Sequence, residues 1–209
     1  SCGFKSRLQH KNKEIVVKIF LSMLFFLNSL IFSLSIEDIE SLYLADDIIG
    51  AQSMLELVED KNEQYHYLSY QIYLKLDDLN NANKSLQAAV KQNPDKYSDE
   101  GIQLGELIND LKNVSKTLSS GFVLEAIEET EALLEKYKDN SIVHYRLGFA
   151  HKENKDYENA VLNFNKAREL NPFNSLYKDE IENIAKIEIL KGKEAYDVKD
   201  YQTALEYFN

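Results

Sequence analysis

Ala82, Ala126, Ala160 and Ala204 stand in steps of 44, 34 and 44 residues, a recurrence that constrains this chain more than any other feature. A period of a few tens of residues marks an architecture built from one repeated unit. The clearest unit is residues 141–174, SIVHYRLGFAHKENKDYENAVLNFNKARELNPFN. Within it Ala160, Phe164 and Ala167 lie at i, i+4 and i+7, on one face of a helix, and the two alanines let a partner helix approach closely. Asn171-Pro172 stops that helix, because the residue before proline avoids the α region and proline supplies no N–H. Gly148 thins the helix before it at the crossing point. The unit reads as a helical hairpin.

Weaker copies surround it. Residues 63–96 keep Tyr73, Ala82, Leu86, Ala89 and Pro94, with Ser69-Tyr70 where the clear unit has Leu147-Gly148. Residues 107–140 keep Ala126 and Leu133 and end on Lys138-Asp139-Asn140, with Thr130 in the large aromatic position. Residues 185–209 offer Gly192, Tyr201, Ala204 and Phe208 and stop before a closing Ala and Pro, so the last unit reads as truncated. A degenerate unit fills 36–62, with Ala51, Leu55 and Val58 on its second helix. An offset of 78 aligns His66-Tyr67 with His144-Tyr145, Asp78 with Asp156 and Asn93-Pro94 with Asn171-Pro172, which points to a duplicated pair. The ten extra residues of each long step, near 97–106 and 175–184, continue a helical pattern through Leu104, Leu107, Ile108 and Leu111 and through Ile181, Ile184 and Ile187. They predict first helices lengthened by two or three turns, either as added core or as arms free for a partner or a dimer contact.

The Leu147-Gly148, Tyr157, Ala160, Phe164, Ala167 and Pro172 positions resemble the tetratricopeptide repeat, a 34-residue helix-turn-helix unit. His144 and His151 stand where that family often has Trp and Tyr. The resemblance implies an all-α solenoid coiled as a right-handed superhelix, with first helices lining a concave face. Carried onto this sequence, the family's lining positions are Tyr67, Gln71 and Leu74 in one unit, Ile142, Tyr145, Phe149 and Lys152 in another, and Ile189, Lys193 and Tyr196 in the last. Two readings of Tyr145 and Phe149 stand side by side, a partner contact and packing on a neighbouring helix. The Lys and Asn pairs with which some relatives clamp a terminal carboxylate are missing: Tyr67 and Tyr145 hold the fifth position, Gln71 and Phe149 the ninth. That disfavours a chaperone-tail clamp.

Little chemistry accompanies the repeats. No P-loop, GxGxxG, GxSxG or HExxH is present, so no enzyme activity and no cofactor are expected. His144 and His151 have no acidic residue at i+3 or i+4, and equivalent packing explains them better than a metal. Glu128-Glu129-Glu131 and Asp179-Glu180 read as solvated helix faces. After residue 35 the chain carries 19 basic and 34 acidic side chains, so it repels phosphate and nucleic acid is excluded as a partner. With Cys2 the lone cysteine, disulfides and cysteine-ligated metals are excluded from the body.

Residues 19–36, IFLSMLFFLNSLIFSLSI, follow Arg7, Lys11, Lys13 and Lys18, which is the pattern of an export segment. Residues 1–35 are therefore expected to be a signal peptide cleaved after Ser35 or an uncleaved membrane anchor; a buried core helix is the remaining alternative. The location is then periplasmic or otherwise extracytoplasmic, with contact to a membrane only through this segment. The functional expectation is a scaffold of the cell envelope that binds a protein peptide or helix on its concave face; the alternative is the non-catalytic arm of a longer enzyme or sensor. Mass spectrometry of the mature chain is expected to find either Ile36 at the N-terminus or an intact chain recovered with membranes. An N-terminus upstream of Leu21 in a soluble cytoplasmic fraction would overturn export.

Overall fold

A computed structural model describes residues 34–208, and the export segment lies outside them except for its last residues. Every regular element described is helical, in five consecutive hairpins. They are α1 (Ile36–Leu44) with α2 (Ile48–Met54), α3 (Glu63–Lys75) with α4 (Leu79–Gln92), α5 (Pro94–Ser119) with α6 (Val123–Lys136), α7 (Ser141–Glu153) with α8 (Tyr157–Leu170), and α9 (Leu176–Asp197) with α10 (Tyr201–Phe208). None of these helices is long and apolar enough to cross a membrane.

One turn, used five times, makes the hairpins. Asp46, Asp77, Gly121, Lys155 and Lys199 each take the left-handed conformation directly after a first helix. Each is flanked by the same pair of bonds, as where the Asp77 N–H donates to Leu74 O and the Asp78 N–H to Tyr73 O, 3.1 and 2.9 Å. These bonds satisfy carbonyls that a helix end leaves open. In four of the five turns the next residue is an aspartate, Asp47, Asp78, Asp156 or Asp200, whose carboxylate accepts an N–H of the following helix. Such a cap contributes about 1 kcal/mol. In the α5–α6 turn Gly121 takes the left-handed position and Phe122 replaces the capping aspartate.

The spaced alanines are the crossing points. Ala51, Ala82, Ala126 and Ala160 are fully buried and Ala204 nearly so. Gly148 shows how tight the crossing is: a Cβ there would meet Phe164 Cδ1 at 2.8 Å and Ala160 O at 3.0 Å. Thr130 fits the aromatic slot of its unit because it is fully buried with its hydroxyl donating to Ala126 O, 2.6 Å. Ser69, in the Leu-Gly position of its unit, is likewise buried and donates to Tyr65 O, 2.7 Å.

The first hairpin departs from the sequence expectation. α2 stops at Met54, Leu55–Leu57 tighten into a 3-10 turn, and Val58 is extended. Val58 is nonetheless buried with Ile39, Ile48 and Leu55, so the apolar pattern serves the core without continuing the helix.

The extra residues of the long steps lie in α5, 26 residues and roughly 39 Å long, and α9, 22 residues and roughly 33 Å. Pro94 both follows α4 and occupies the first turn of α5, where its missing N–H costs nothing. The added turns are core. Tyr97 and Leu104 are buried with Tyr70, Leu86 and Ala89, and Ile184 is buried with Ala160 and Phe164. Gly148→Ala is expected to lower stability by about 1–3 kcal/mol through overpacking, whereas Gly105→Ala, with nothing within 4 Å, should raise it by about 0.5–1 kcal/mol. Urea unfolding of the two variants checks the pair.

Candidate functional site

The alternating step decides where the first-helix face stays open. Between α3 and α5 the step is long, and the added turns of α5 cover α3: the Tyr97 ring stacks on Tyr67 at 4.7 Å and the Tyr70 hydroxyl donates to Glu100 Oε1, 3.0 Å. Between α7 and α9 the step is long again. Tyr177 packs on Tyr145 at 5.4 Å, and Glu180 Oε2 pairs with Lys152 Nζ at 2.6 Å. Between α5 and α7 the step is the short one, and a groove remains.

Ile108, Leu111, Lys112 and Ser115 of α5 face Ile142, Tyr145 and Arg146 of α7 across a cavity of about 480 Å³. Its end walls come from the α3–α4 turn, Asp77 to Asn80, and from Asn174, Leu176 and Tyr177. A second cavity of about 300 Å³ shares Ser115 and Arg146 and extends along Leu118, Phe149 and Glu153. Together they form a furrow with apolar walls and two cations.

The structure sorts the ten positions expected to line the partner face. Tyr145 and Phe149 meet on the furrow, rings 6.4 Å apart, and Tyr145 also packs on Phe164 at 5.7 Å, so it serves surface and core together. Lys152 lies over the Phe149 ring at 5.1 Å and is held by Glu180. Tyr67, Gln71 and Leu74 lie on α3 away from the furrow, half-buried, with Tyr67 and Leu74 packed against the core under α5. Lys193 and Tyr196 are exposed on α9, where Tyr196 meets Tyr201 edge-on at 5.4 Å. Ile142 is buried and Ile189 exposed.

Arg146 and Lys112 are furrow residues that sequence reasoning missed. Arg146 and Arg168 are the only arginines after residue 35, a signal that was available.

One wall of the furrow rests on Asp77. Its carboxylate accepts hydrogen bonds from Ser141 Oγ at 2.8 Å and Asn171 Nδ2 at 2.6 Å and from the Tyr177 hydroxyl. A turn of the second hairpin is thereby tied to three points in the fourth and fifth. Phe173, beside that node, packs on the core of the first two hairpins. Burial drives the Asp77 carboxyl above the ordinary carboxylate range, and the donors from Tyr177, Ser141 and Asn171 offset this only in part.

Comparison with known proteins follows the same units. Residues 141–174 and 65–96 each match a family model described as tetratricopeptide repeat. These two units are tetratricopeptide repeats. Among solved structures, "MamA 41-end from Desulfovibrio magneticus RS-1" is 17% identical, covering 81% of this chain and 86% of that one with a TM-score of 0.34. "MamA AMB-1 P212121" is 18% identical, covering 82% and 92%, with a TM-score of 0.28. Scores this low carry no weight for function. No curated protein matches.

The histidines of the repeats make local contacts. His144 Nδ1 lies 3.2 Å from Asn163 Oδ1, and His66 packs edge-on to Tyr65. His151 Nδ1 approaches Asp156 Oδ2 at 3.2 Å without hydrogen-bond geometry. Among the described residues, no three His, Cys, Asp or Glu converge as a metal site would require.

Asp77→Ala, which strands three donors, is expected to cost about 3 kcal/mol in urea unfolding. Asp77→Asn tests the charge itself. With a native pKa above the unfolded value, the folded chain holds the Asp77 proton more tightly. Its contribution to stability is therefore fully present below the unfolded value and is lost as pH rises through the raised native one. The stability difference, wild type minus Asp77→Asn, should fall with rising pH across that window; a difference that rises would overturn the assignment.

Proposed function

We propose that this tetratricopeptide-repeat chain is an extracytoplasmic scaffold that holds a segment of another protein in the furrow between α5 and α7, with no turnover. The observation that carries this reading is the open furrow at the 34-residue step, where Tyr145 and Phe149 present aromatic surface beside two cations that enter no ion pair among the described residues. Aromatic and arginine side chains in a desolvated recess are the residues on which protein interfaces concentrate their binding energy. The covered faces at α3 and α7–α9 leave the furrow open between them.

Location rests on the basic and then apolar run before Ile36. The Ser35 hydroxyl accepts the Asp38 N–H at 3.3 Å while the Asp38 carboxylate accepts the Ser35 N–H at 2.9 Å, a box that caps α1. Cleavage after Ser35 would remove it, at about 1 kcal/mol, which favours an uncleaved anchor over a signal cut at that bond.

A photo-reactive side chain placed at Ser115 in the furrow should capture a discrete protein adduct in intact cells, and the same group at Glu131 on α6 should not. Phe149→Ala should reduce the Ser115 adduct severalfold with the chain still folded by circular dichroism. Equal adducts from both positions, or an adduct indifferent to Phe149, would remove the furrow from the function.

A further inference from the structure

The charged groups of the furrow are unevenly committed. Of the two carboxylates on its main cavity, Asp77 is held by Ser141, Asn171 and Tyr177, and Asp78 caps α4 by accepting the Asn81 N–H at 3.0 Å and Asn81 Nδ2 at 2.6 Å. The two cations are not committed. Neither Lys112 nor Arg146 enters an ion pair among the described residues. Arg146 Nε is buried without a hydrogen-bond partner, its guanidinium 5.9 Å from the Tyr145 ring. A buried donor left unpaired is costly, and a guanidinium pairs most strongly with a carboxylate. Glu153, the remaining acid on the furrow, stands seven residues along α7 from Arg146, roughly 10 Å away.

We infer that the furrow selects an amphipathic helix that places a glutamate or aspartate side chain, from within its apolar face, against Arg146 and Lys112. This rests on the proposed scaffold function and names the chemistry of its partner. The helical form follows from the walls: Ile108, Leu111 and Leu118 on α5 and Tyr145 and Phe149 on α7 form ridges at three-, four- and seven-residue spacing, and the groove between them fits the ridge of a third helix. The acid follows from charge, since Arg146, half-buried in the furrow, and the exposed Lys112 that lines it enter no ion pair among the described residues, although the chain as a whole carries a net charge of -11. The anion is a side chain within a helix, because the positions that hold a chain-terminal carboxylate in some relatives carry Tyr67, Gln71, Tyr145 and Phe149.

Three synthetic 18-residue helices with one leucine face test this, identical except for Glu, Gln or Lys at the centre of that face. Titrated against the full chain in mild detergent and followed by fluorescence anisotropy, the Glu probe should bind about tenfold tighter than Gln, and Lys weakest, with a preference that shrinks as salt rises. Arg146→Glu should invert the order, an effect that simple loss of packing does not produce, and Lys112→Ala should narrow it. Phe149→Ala should weaken all three alike. If all three bind and all weaken in Phe149→Ala but with no order among them, or if the order survives Arg146→Glu, the acidic partner is refuted and the furrow stands. If none binds, or Phe149→Ala changes nothing, both the inference and the furrow reading fail.

Discussion

Asp77 is the point on which the arrangement of the hairpins depends. Repeat solenoids are held by contacts between neighbouring units, so their curvature is ordinarily the sum of small local rotations. Here a carboxylate in the second hairpin gathers hydroxyl and amide donors from Ser141, Asn171 and Tyr177, which lie 64, 94 and 100 residues downstream. The second hairpin is therefore joined to the fourth and fifth, and the α3–α4 turn and Tyr177, which both line the furrow, are brought into contact. Burying the carboxylate is unfavourable, as its raised pKa records, and the donors make the burial tolerable. The left-handed backbone that Asp77 adopts belongs to the turn common to all five hairpins, so the tie needed no new backbone geometry, only a different side chain.

The second organising fact is the unequal repeat step. Ten added residues give α5 and α9 two or three more turns, and those turns lie on the preceding first helix. Tyr97 covers Tyr67, and Tyr177 with Glu180 covers Lys152 and one side of Tyr145, whose other side lines the furrow. Each cover buries apolar area at about 25 cal/mol per Å² and removes a stretch of surface from any partner. The 34-residue step from α5 to α7 has no such cover. Two covered joints thus flank an open one.

Much of the fold was legible. The alanine spacing identified the helix crossings because a close approach tolerates no larger side chain, and Gly148 against Phe164 shows the same rule at its limit. The lengthened first helices followed from apolar periodicity. Val58 was placed on a helix because its spacing is helical, yet the chain there is extended; burial, which spacing does report, was preserved while backbone form was not. The site was less legible. Tyr67, Gln71 and Leu74 share their positions in the unit with Tyr145, Phe149 and Lys152, but position within a repeat says nothing about what a neighbouring extension covers. Its scarcity marks Arg146 in the sequence, but that it enters no ion pair among the described residues is a property of the packed molecule.

Sequence alone determined the local rules of this protein: hairpins of fixed register, capped by aspartates, crossing at alanines, and extended at every second step. These are contacts among residues a few tens of positions apart, and spacing encodes them. Tertiary structure decided which carboxylate closes the stack, which part of the first-helix face stays uncovered and which cations are left unpaired in it. Those outcomes join residues up to 100 positions apart through side chains that no period links, so they exist only once the stack has closed.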